Sequence, residues 1–485
     1  MLKNILLISG VFSIFLFTGC DLDGKCSDCN TSEVAIDDEL RNIIKQEGLR
    51  GDPSIGLNLP KIESQKAQLG MKLFFTKSLG GDKDSACVTC HHPMLGGGDR
   101  LSLSIGVQAL DPDLLGPGRV YDPAASHYDN GYALVPRNAP STYNVALFNR
   151  DLFWDGRVEN VIDNNQTGIR TPDTALDIID KSAGANLAVA QARFPVTSNE
   201  EMKGFNFEVN TSNDATRTHL ALRLSDDTTA DYIPNTWQGE FTPIYGDNSI
   251  TFANIVDAIG EYERSQVFVN SPWKKYVQGD NNAISDAAKR GAKLFFNSYG
   301  DGGMSCTTCH SGDFFTDENF HVMAVPQVGQ GKNDNYEDLG RFNQTGTNKY
   351  AFRTPTLLNV EMTGPWGHDG AYTTLEAMVR HMVNPDEAIA NYDFSQLDES
   401  VNTTNSTVNT QKILTQLQAN KAFAISPHHN VNATDEQIAD LVAFLEALTD
   451  PCLKDRDCIG KWIPENISGP DGLQLNAIDR DGNLL

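Results

Sequence analysis

The chain has 485 residues and a formal net charge of −26 at pH 7, and this length suits two or three domains. The excess of acidic groups argues against nucleic acid as a partner, because phosphate binding needs a basic face. The negative charge could attract a basic protein partner over long range. An equally good interpretation is that it keeps the protein soluble in salty surroundings.

The N-terminus has the pattern of an export signal. Lys3 precedes a short apolar run, and the pair Gly19-Cys20 follows it; the run is too short for a comfortable transmembrane helix. Gly-Cys resembles a bacterial lipobox, so we expect residues 1–19 to be a lipoprotein signal peptide and Cys20 to carry a membrane anchor. An ordinary secretory signal is the alternative. Both place the protein in the periplasm, and residues 20–54 are expected to be a polar tether.

Two Cys-x-x-Cys-His pentads are the most informative motifs of the chain. They comprise Cys87, Cys90 and His91, and Cys306, Cys309 and His310. This spacing predicts attachment of a c-type haem through two thioethers, with the His as an axial ligand of the iron. The sequence therefore predicts two haems, and the function depends on what else each iron can bind.

The remaining cysteines fit an oxidising compartment. Cys452 and Cys458 lie near the C-terminus, where we expect a disulfide that closes a short loop. Cys26 and Cys29 lack a following His, so they do not predict a third haem. A local disulfide is favoured for them over a metal site.

An internal repeat surrounds the two pentads. Residues 66–75 and residues 289–296 both end in Leu-Phe-Phe, and each segment precedes one pentad. Both are predicted to be helices, with Ser64 and Ser285 as N-caps. The chain therefore uses one unit twice.

Each copy of the unit also ends in an amphipathic helix. Apolar residues recur at helical spacing over residues 255–262 and 438–445, and Thr434 begins a capping box before the second helix. This arrangement resembles the cytochrome c fold, in which Gly70 or Gly291 would let the first and last helices approach closely. We expect a mainly α protein with two cytochrome-c-like haem domains in tandem and long irregular loops.

The expected boundaries follow from these landmarks. Residues 55–278 are predicted to be the N-terminal haem domain, and residues 279–450 the C-terminal haem domain. Residues 451–485 are predicted to be a C-terminal tail.

Further motifs occur in a fixed order around the pentads. They are Gly-Gly-Gly-Asp at 96–99, Ser-Ile-Gly at 104–106, Arg-Asn-Ala-Pro at 137–140, Phe-Trp-Asp-Gly-Arg at 153–157, Phe-Arg-Thr-Pro-Thr-Leu at 352–357 and His-Asp-Gly at 368–370. In this order they resemble the bacterial di-haem cytochrome c peroxidases and their relatives, which include the enzyme that matures methylamine dehydrogenase. The resemblance covers roughly residues 55–450. It implies that peroxide reacts at the N-terminal haem and that electrons enter at the C-terminal haem.

The resemblance assigns His91 as the proximal ligand of the first iron. Resting family members often place a distal His directly after Ser-Ile-Gly, and this chain has Val107 there. We therefore expect an open sixth position. His127, in the following loop, is the alternative distal ligand, and a solvated loop His is its simpler interpretation.

Peroxide cleavage needs a carboxylate that moves a proton and an amide that orients the peroxide. The family supplies a Gln and a Glu ten residues apart, and Gln191 and Glu201 have this spacing. The match selects Glu201 rather than Glu200. Gln166 is a competitor for the amide, and an acidic helix start is the simpler interpretation of the two glutamates.

The second iron takes His310, and the resemblance implies Met382 as its other ligand. In the tryptophan-oxidising relatives a Tyr occupies this position. His381 is the alternative ligand, and core packing is the ordinary role of a Met. Thioether ligation raises the potential of a haem, which suits an electron entry point.

Two more roles follow from the resemblance. Trp154 matches the tryptophan between the haems, where it would help electrons to pass. Asn138, Thr363 and Pro365 match a calcium site at the domain junction, and their oxygen atoms suit a hard cation.

These inferences favour a peroxidase that reduces hydrogen peroxide with electrons from a small periplasmic cytochrome c or cupredoxin. A di-haem oxidase that modifies side chains of a partner protein, and an electron carrier without enzymatic activity, are the alternatives. The family often pairs its subunits, so a homodimer stays open.

Overall fold

The computed structural model describes residues 27–485 except 126, 128, 129, 226–230, 248, 466 and 467, with side chains from residue 36 onward. The α-helices are α1 (Ser27–Gln46), α2 (Gln65–Phe75), α3 (Cys87–Cys90), α4 (Leu187–Gln191), α5 (Asn213–Ser225), α6 (Trp237–Tyr245), α7 (Phe252–Arg264), α8 (Pro272–Val277), α9 (Asp286–Phe296), α10 (Phe342–Thr345), α11 (Leu375–Val383), α12 (Pro385–Ala390), α13 (Ser406–Ala422), α14 (Asp435–Glu446) and α15 (Arg456–Ile459). The expectation of a mainly helical protein is confirmed.

Short antiparallel strands interrupt the helices. The strands are β1 (Asp151–Leu152), β2 (Val158–Asp163), β3 (Gln166–Arg170), β4 (Phe320–His321) and β5 (Phe352–Arg353). The first three form one sheet in the order β1-β2-β3, and β4 pairs with β5. Long segments without regular structure connect these elements, and their residues form much of the lining of two internal cavities.

Helices α2 and α7 form the first crossed pair. The hydroxyl of Ser64 caps α2 by accepting a hydrogen bond from the Ala67 amide, as the sequence predicts. A Cβ atom added at Gly70 would lie 1.9 Å from the carbonyl oxygen of Ala258, so only a glycine lets the helices approach this closely.

Helices α9 and α14 repeat this geometry in the second half of the chain. A Cβ atom at Gly291 would lie 1.9 Å from the carbonyl oxygen of Asp440. Ser285 caps α9, and Thr434 and Gln437 form the capping box of α14. Each pair encloses its own apolar core. The two predicted helix crossings are therefore present.

The N-terminal segment differs from the expected polar tether over residues 20–54. Residues 27–46 form the 20-residue helix α1. Its Leu40 is fully buried in the core of the second half, and the carboxylate of Asp37 pairs with Lys289 at 3.0 Å. The lipobox residue Cys20 and the side chains of Cys26 and Cys29 lie outside the described residues.

The C-terminal segment, residues 451–485 and predicted to be a tail, packs against the rest of the fold. It returns to the first half, where Leu475 is buried in the core. The carboxylate of Asp471 accepts hydrogen bonds from Thr76, Ser78 and Trp237 at 2.7–2.8 Å. Residues 452 and 458 form the expected disulfide. Helix α1 and the C-terminal segment thus pack on opposite halves of the described chain.

Candidate active site and cofactor cavities

The first pentad forms one wall of a cavity in the first half. Helix α3 carries Cys87 and Cys90, both free thiols, and His91 follows. The Nδ1 atom of His91 lies 3.1 Å from the carbonyl oxygen of Gly97. Since a carbonyl only accepts, Nδ1 carries the hydrogen and Nε2 keeps its lone pair for a metal. The neighbouring His92 is fully buried and uses its Nδ1 to accept from the Met94 amide.

Gln191 and Glu201 line the same cavity. Gln191 ends helix α4, and Glu201 lies in a π-helical turn, Asn199–Lys203, that the Ser198 hydroxyl caps. Such turns are frequent at functional sites. The structure therefore brings the two residues to one place.

The two competitors of these residues lie elsewhere. The carboxylate of Glu200 accepts a hydrogen bond from the Ser198 hydroxyl and is not part of the described cavity wall. Gln166 is exposed at the start of β3. Its side chain therefore does not compete with Gln191 for the cavity.

The segment with Val107 packs against the turn that carries Glu201. A Cβ atom at Gly106 would lie 2.3 Å from the carbonyl oxygen of Glu201, and Val107 is fully buried outside the cavity wall. His127 is exposed and stacks on Phe205 with 3.8 Å between ring centroids. Among the described residues that line the cavity, His91 is therefore the one imidazole.

Two cations and the surrounding protein set the electrostatics of Glu201. Burial raises the pKa of its carboxyl, and Arg157 and Lys332 act in the opposite direction. Lys332 comes from the second half of the chain and lies 3.9 Å from the fully buried carboxylate of Asp155. Burial lowers the pKa of Lys332 to about 8. Sequence reasoning missed Lys332, because no local signal links it to a site 131 residues earlier.

Glu263 is a second carboxyl in this cavity that sequence reasoning missed. It lies on α7, is 5% exposed, and its Oε2 atom has no hydrogen-bond partner. Burial raises its pKa to about 8, so the group is largely neutral at pH 7. A single Glu within an amphipathic helix does not by itself predict a buried carboxyl in a cavity.

The second pentad lines a larger cavity in the second half. Cys306 and Cys309 are free thiols, and the Nδ1 atom of His310 lies 3.0 Å from the carbonyl oxygen of Phe315. The tautomer is the same as for His91, so Nε2 of His310 is again available to a metal. Met382, on α11, lines this cavity together with Met378.

His381, the alternative ligand, has hydrogen-bond partners on both ring nitrogens. Its Nδ1 atom lies 2.8 Å from the Tyr372 hydroxyl, and its Nε2 atom lies 2.9 Å from the carbonyl oxygen of Met323. Both ring nitrogens are thus hydrogen-bonded, and His381 is not among the described residues that line the cavity, whereas Met382 is.

His321 is a further residue of the second cavity that the sequence did not reveal. Its Nε2 atom lies 2.7 Å from the carboxylate of Asp317, and this pairing raises the pKa of His321 to about 10. In the part of the chain that the structure describes, these two residues and Cys309 are the one group with metal-ligand spacing. Cys309 belongs to the pentad, so the group does not define a separate metal site.

Trp154 lies in the wall between the two cavities. It lines both of them, together with the segment 138–140. Its Nε1 atom donates to the carbonyl oxygen of Asn138 at 2.9 Å. The side-chain amide nitrogen of Asn138 donates to the carbonyl oxygens of Leu101 and Ser102. Thr363 and Pro365 line the larger cavity beside Asn138.

A family model described as di-haem cytochrome c peroxidase matches residues 64–282 and 285–451. The chain belongs to the di-haem cytochrome c peroxidase family. It is thus a peroxidase oxidoreductase, and the family implies two haems. The resemblance inferred from the ordered motifs is confirmed.

The similar proteins include methylamine utilization proteins and cytochrome c peroxidases. The methylamine utilization protein MauG of Methylophilus methylotrophus is 28% identical over 321 residues, which are 65% of this chain and 72% of that protein. Cytochrome c551 peroxidase of Nitrosomonas europaea is 27% identical over 318 residues, 65% of this chain and 72% of that protein.

Solved structures support the fold. The diheme peroxidase BthA from Burkholderia thailandensis has a TM-score of 0.52 at 20% identity and covers 87% of this chain and 92% of its own. A MauG-like protein associated with microbial copper homeostasis has a TM-score of 0.51 at 22% identity, and the match covers 83% of this chain and 96% of that protein.

The donor sets of both cavities fit c-type haem. Each cavity offers two free thiols and one imidazole whose Nδ1 hydrogen is held by a backbone carbonyl. A carbonyl partner of this kind fixes the orientation of a metal-binding imidazole. Cys87, Cys90 and His91 would hold one haem, and Cys306, Cys309 and His310 the other.

Proposed function

We propose that this protein reduces hydrogen peroxide to water at the His91 site, with electrons that enter at the His310 site. One observation carries the proposal, namely that the two cavities are lined by different functional side chains. Gln191 and Glu201 face the His91 cavity, whereas Met382 faces the His310 cavity. Acid–base groups at one site and a thioether at the other support separate roles in chemistry and electron entry.

The proposed reaction is H₂O₂ + 2 e⁻ + 2 H⁺ → 2 H₂O. When bound, the first haem supplies an iron that accepts peroxide and passes it electrons. The carboxylate of Glu201 takes a proton from one peroxide oxygen and returns it to the other. The amide of Gln191 orients the peroxide and stabilises charge that develops on it. Arg157 and Lys332 add positive charge to the same cavity.

The second site would deliver electrons one at a time. Met382 is proposed to hold the second haem together with His310, because it lines the cavity while both ring nitrogens of His381 are hydrogen-bonded. Trp154 would help the electrons to pass, which its position in both cavity walls supports.

The finer organisation is part of the proposal. We propose two cytochrome-c-like haem domains in tandem, at residues 55–278 and 279–450, which the two matched segments and the repeated helix crossing support. Calcium is proposed at Asn138, Thr363 and Pro365, which share one cavity wall.

Export to the periplasm also remains a proposal. It rests on the signal pattern of residues 1–19 and the lipobox Cys20, which lie outside the described residues. In the described part of the chain, no helix combines the length and the apolar character that crossing a bilayer requires.

The decisive experiment uses purified protein loaded with both haems. Reduced horse heart cytochrome c and, separately, the small-molecule donor ABTS are supplied with hydrogen peroxide, and donor oxidation is followed optically. Turnover with a high-spin electron paramagnetic resonance signal at one haem supports the proposal. No turnover with either donor, or two fully low-spin haems in every oxidation state, overturns it.

Modification of a partner protein is the second candidate function. The MauG relatives favour it, whereas the Met at position 382, where the tryptophan-oxidising relatives have Tyr, favours the peroxidase. Incubation with peroxide and periplasmic proteins, followed by mass spectrometry, separates the two. A specific crosslink or hydroxylation of one protein would support the second function.

A further inference from the structure

The π-helical turn that carries Glu201 is short. It spans Asn199–Lys203, and the backbone on either side, at Ser198 and Gly204, is not helical. Turns of this kind are rare and occur mostly inside longer α-helices. Because this turn is not embedded in an α-helix, contacts from other segments must hold the Glu201 carboxyl in the first cavity.

Loop 105–119 packs against the turn at Glu201 itself. A Cβ atom at Gly106 would lie 2.4 Å from the carbonyl oxygen of Glu200 and 2.3 Å from that of Glu201. The Val107 amide donates to the carbonyl oxygen of Glu200 at 3.4 Å. The start of this loop therefore fixes the two peptide groups that flank the Glu201 side chain.

One buried side chain closes loop 105–119. Arg119 is 2% exposed, and its guanidinium donates hydrogen bonds to five backbone carbonyl oxygens of the loop. The acceptors are Ile105 at 2.7 Å, Gly106 at 2.8 Å, and Asp111, Pro112 and Leu114 at 2.8–3.3 Å. A buried guanidinium is costly unless its N–H groups have acceptors, and these carbonyls provide them. Arg119 thereby ties the end of the loop to the part that contacts the turn.

Loop 78–84 packs against the C-terminal end of the same turn. The Gly81 amide donates to the carbonyl oxygen of Met202 at 2.8 Å, and a Cβ atom at Gly81 would lie 1.8 Å from the carbonyl oxygen of Lys203. The two loops also contact each other, because the Gln108 amide donates to the carboxylate of Asp84 at 2.6 Å. Glycines thus bring both loops into backbone contact with the turn.

A second buried arginine fixes loop 78–84. Arg223, on α5, is 1% exposed and donates to the carbonyl oxygens of Ser78, Gly80 and Gly81 at 2.7–3.0 Å. Asp231 balances its charge, since the Nε atom of Arg223 donates to that carboxylate at 2.7 Å. The planar guanidinium carries five N–H donors in a fixed arrangement, whereas the three donors of a lysine share one nitrogen. A lysine would therefore keep the charge at either position and lose the simultaneous contacts.

We propose that Arg119 and Arg223 are positioning residues for the peroxidase reaction. Each fixes one of the two loops that contact the turn 199–203, and together they set the place of the Glu201 carboxylate in the first cavity. The inference rests on the proposed function, in which this carboxylate moves a proton between the peroxide oxygens. Because small displacements of a catalytic group lower the rate steeply, loosening either loop should slow the reaction while Glu201 itself is still present.

A double-mutant cycle tests whether the arginines act through Glu201. We expect Arg119→Lys to lower kcat/KM for hydrogen peroxide about tenfold in the haem-loaded protein, with ABTS as the electron donor. In the Glu201→Gln background the same change should alter kcat/KM less than about twofold, because the group that it positions is already lost. Arg223→Lys should behave in the same way. Equal losses in both backgrounds would show a general structural effect and overturn the proposal.

Arg217→Lys is the matched control on helix α5. Arg217 is 3% exposed, and its guanidinium bonds the carboxylates of Asp173 and Asp214 and the carbonyl oxygen of Arg193 rather than either loop. We expect the control to keep the native kcat/KM for peroxide. A loss as large as that of Arg119→Lys would show that any buried arginine has this effect, and would overturn the proposal.

Gly106→Ala perturbs the same contact without removing a buried cation. The added methyl group would meet the carbonyl oxygens of Glu200 and Glu201, so the turn must shift. We expect a loss of kcat/KM for peroxide that again disappears in the Glu201→Gln background. Full activity of Gly106→Ala would contradict a positioning role of loop 105–119.

Hydrogen–deuterium exchange followed by mass spectrometry gives a readout that does not need turnover. In the haem-loaded protein, peptides that cover residues 199–204 should exchange about tenfold faster in Arg119→Lys and Arg223→Lys than in the native protein and in Arg217→Lys. Unchanged exchange in both of the first two variants would overturn the proposal. If the native protein shows no peroxidase turnover, the proposed function fails, and the exchange rates still decide whether the two arginines hold the turn.

Discussion

Arg137, in the first half of the chain, donates two hydrogen bonds, of 2.7 and 2.8 Å, to the carboxylate of Asp338 in the second half. Both side chains are buried. Arg137 directly precedes Asn138, which lies in the wall between the two cavities. The ion pair therefore ties the second half of the chain to the segment that separates the two sites.

Removal of this pair should destabilise the fold. Asp338→Asn leaves the Arg137 guanidinium with one buried carboxylate, Asp155. We therefore expect the free energy of unfolding to fall by about 3 kcal/mol, which lowers the urea midpoint. Lys454→Gln breaks an exposed pair with Glu361 and should cost less than about 1 kcal/mol. Equal midpoints for the two variants would contradict a stabilising role for the buried pair.

Glu201→Gln should remove most of the peroxidase activity. The amide cannot accept the proton that must move between the peroxide oxygens, so we expect a loss of about 100-fold or more in kcat. Glu200→Gln is the matched control, because its carboxylate bonds Ser198 outside the cavity wall. The measurement is peroxide-dependent oxidation of ABTS. Full activity in Glu201→Gln would show that another group moves the proton.

Lys332→Met should shift the pH profile of peroxide reduction. Lys332 lowers the pKa of the Glu201 carboxyl, so its removal raises that pKa. Activity needs the ionised carboxylate and falls as pH drops through the pKa, and the acidic limb should therefore move to higher pH. Lys349→Met, which removes a 44% exposed lysine side chain, should leave the limb in place. A shift toward lower pH in Lys332→Met would reverse the proposed sign.

Glu263→Gln should stabilise the protein more as pH rises. The folded pKa of Glu263 is about 8, whereas an unfolded Glu titrates near pH 4.3. The folded state holds the proton more tightly, so the native Glu loses stability as pH rises from about 4.3 to 8. Thermal unfolding should show a growing advantage of the variant across this range. Glu261→Gln on the same helix is the control, and a similar trend there would refute the assignment.

Met382→Ala should change the spin state of one haem. If Met382 holds the second haem together with His310, its loss should convert that haem from low spin to high spin. Met378→Ala removes the other methionine that α11 contributes to this cavity and should leave the spectrum unchanged. Electron paramagnetic resonance of the oxidised protein distinguishes the two variants, and an unchanged signal in Met382→Ala would exclude thioether ligation.

Features that depend on neighbouring residues were predictable from the amino-acid sequence. Each pentad holds its two thiols and imidazole within five positions, so local spacing is enough to predict a haem site. The caps at Ser64 and Ser285 and the crossings at Gly70 and Gly291 were also predictable. A cap acts within one turn, and a glycine on an apolar helix face marks a close approach.

Which distant residues share a cavity depends on the folded arrangement of the whole chain. Lys332 reaches the first cavity from the second half, and Glu263 is buried by elements that surround it rather than by its own sequence pattern. His381 and Met382 are adjacent in sequence, yet Met382 lines the second cavity, whereas the ring nitrogens of His381 are bonded to Tyr372 and Met323.

The packing of the two terminal segments was likewise not predictable from local sequence. The polar composition of residues 20–54 and 451–485 favours a tether and a tail, yet Leu40 and Leu475 are buried in opposite halves of the molecule. A few apolar side chains in a polar segment become stabilising only when a distant surface removes them from water. That surface is assembled by the whole fold, so no local pattern could have predicted it.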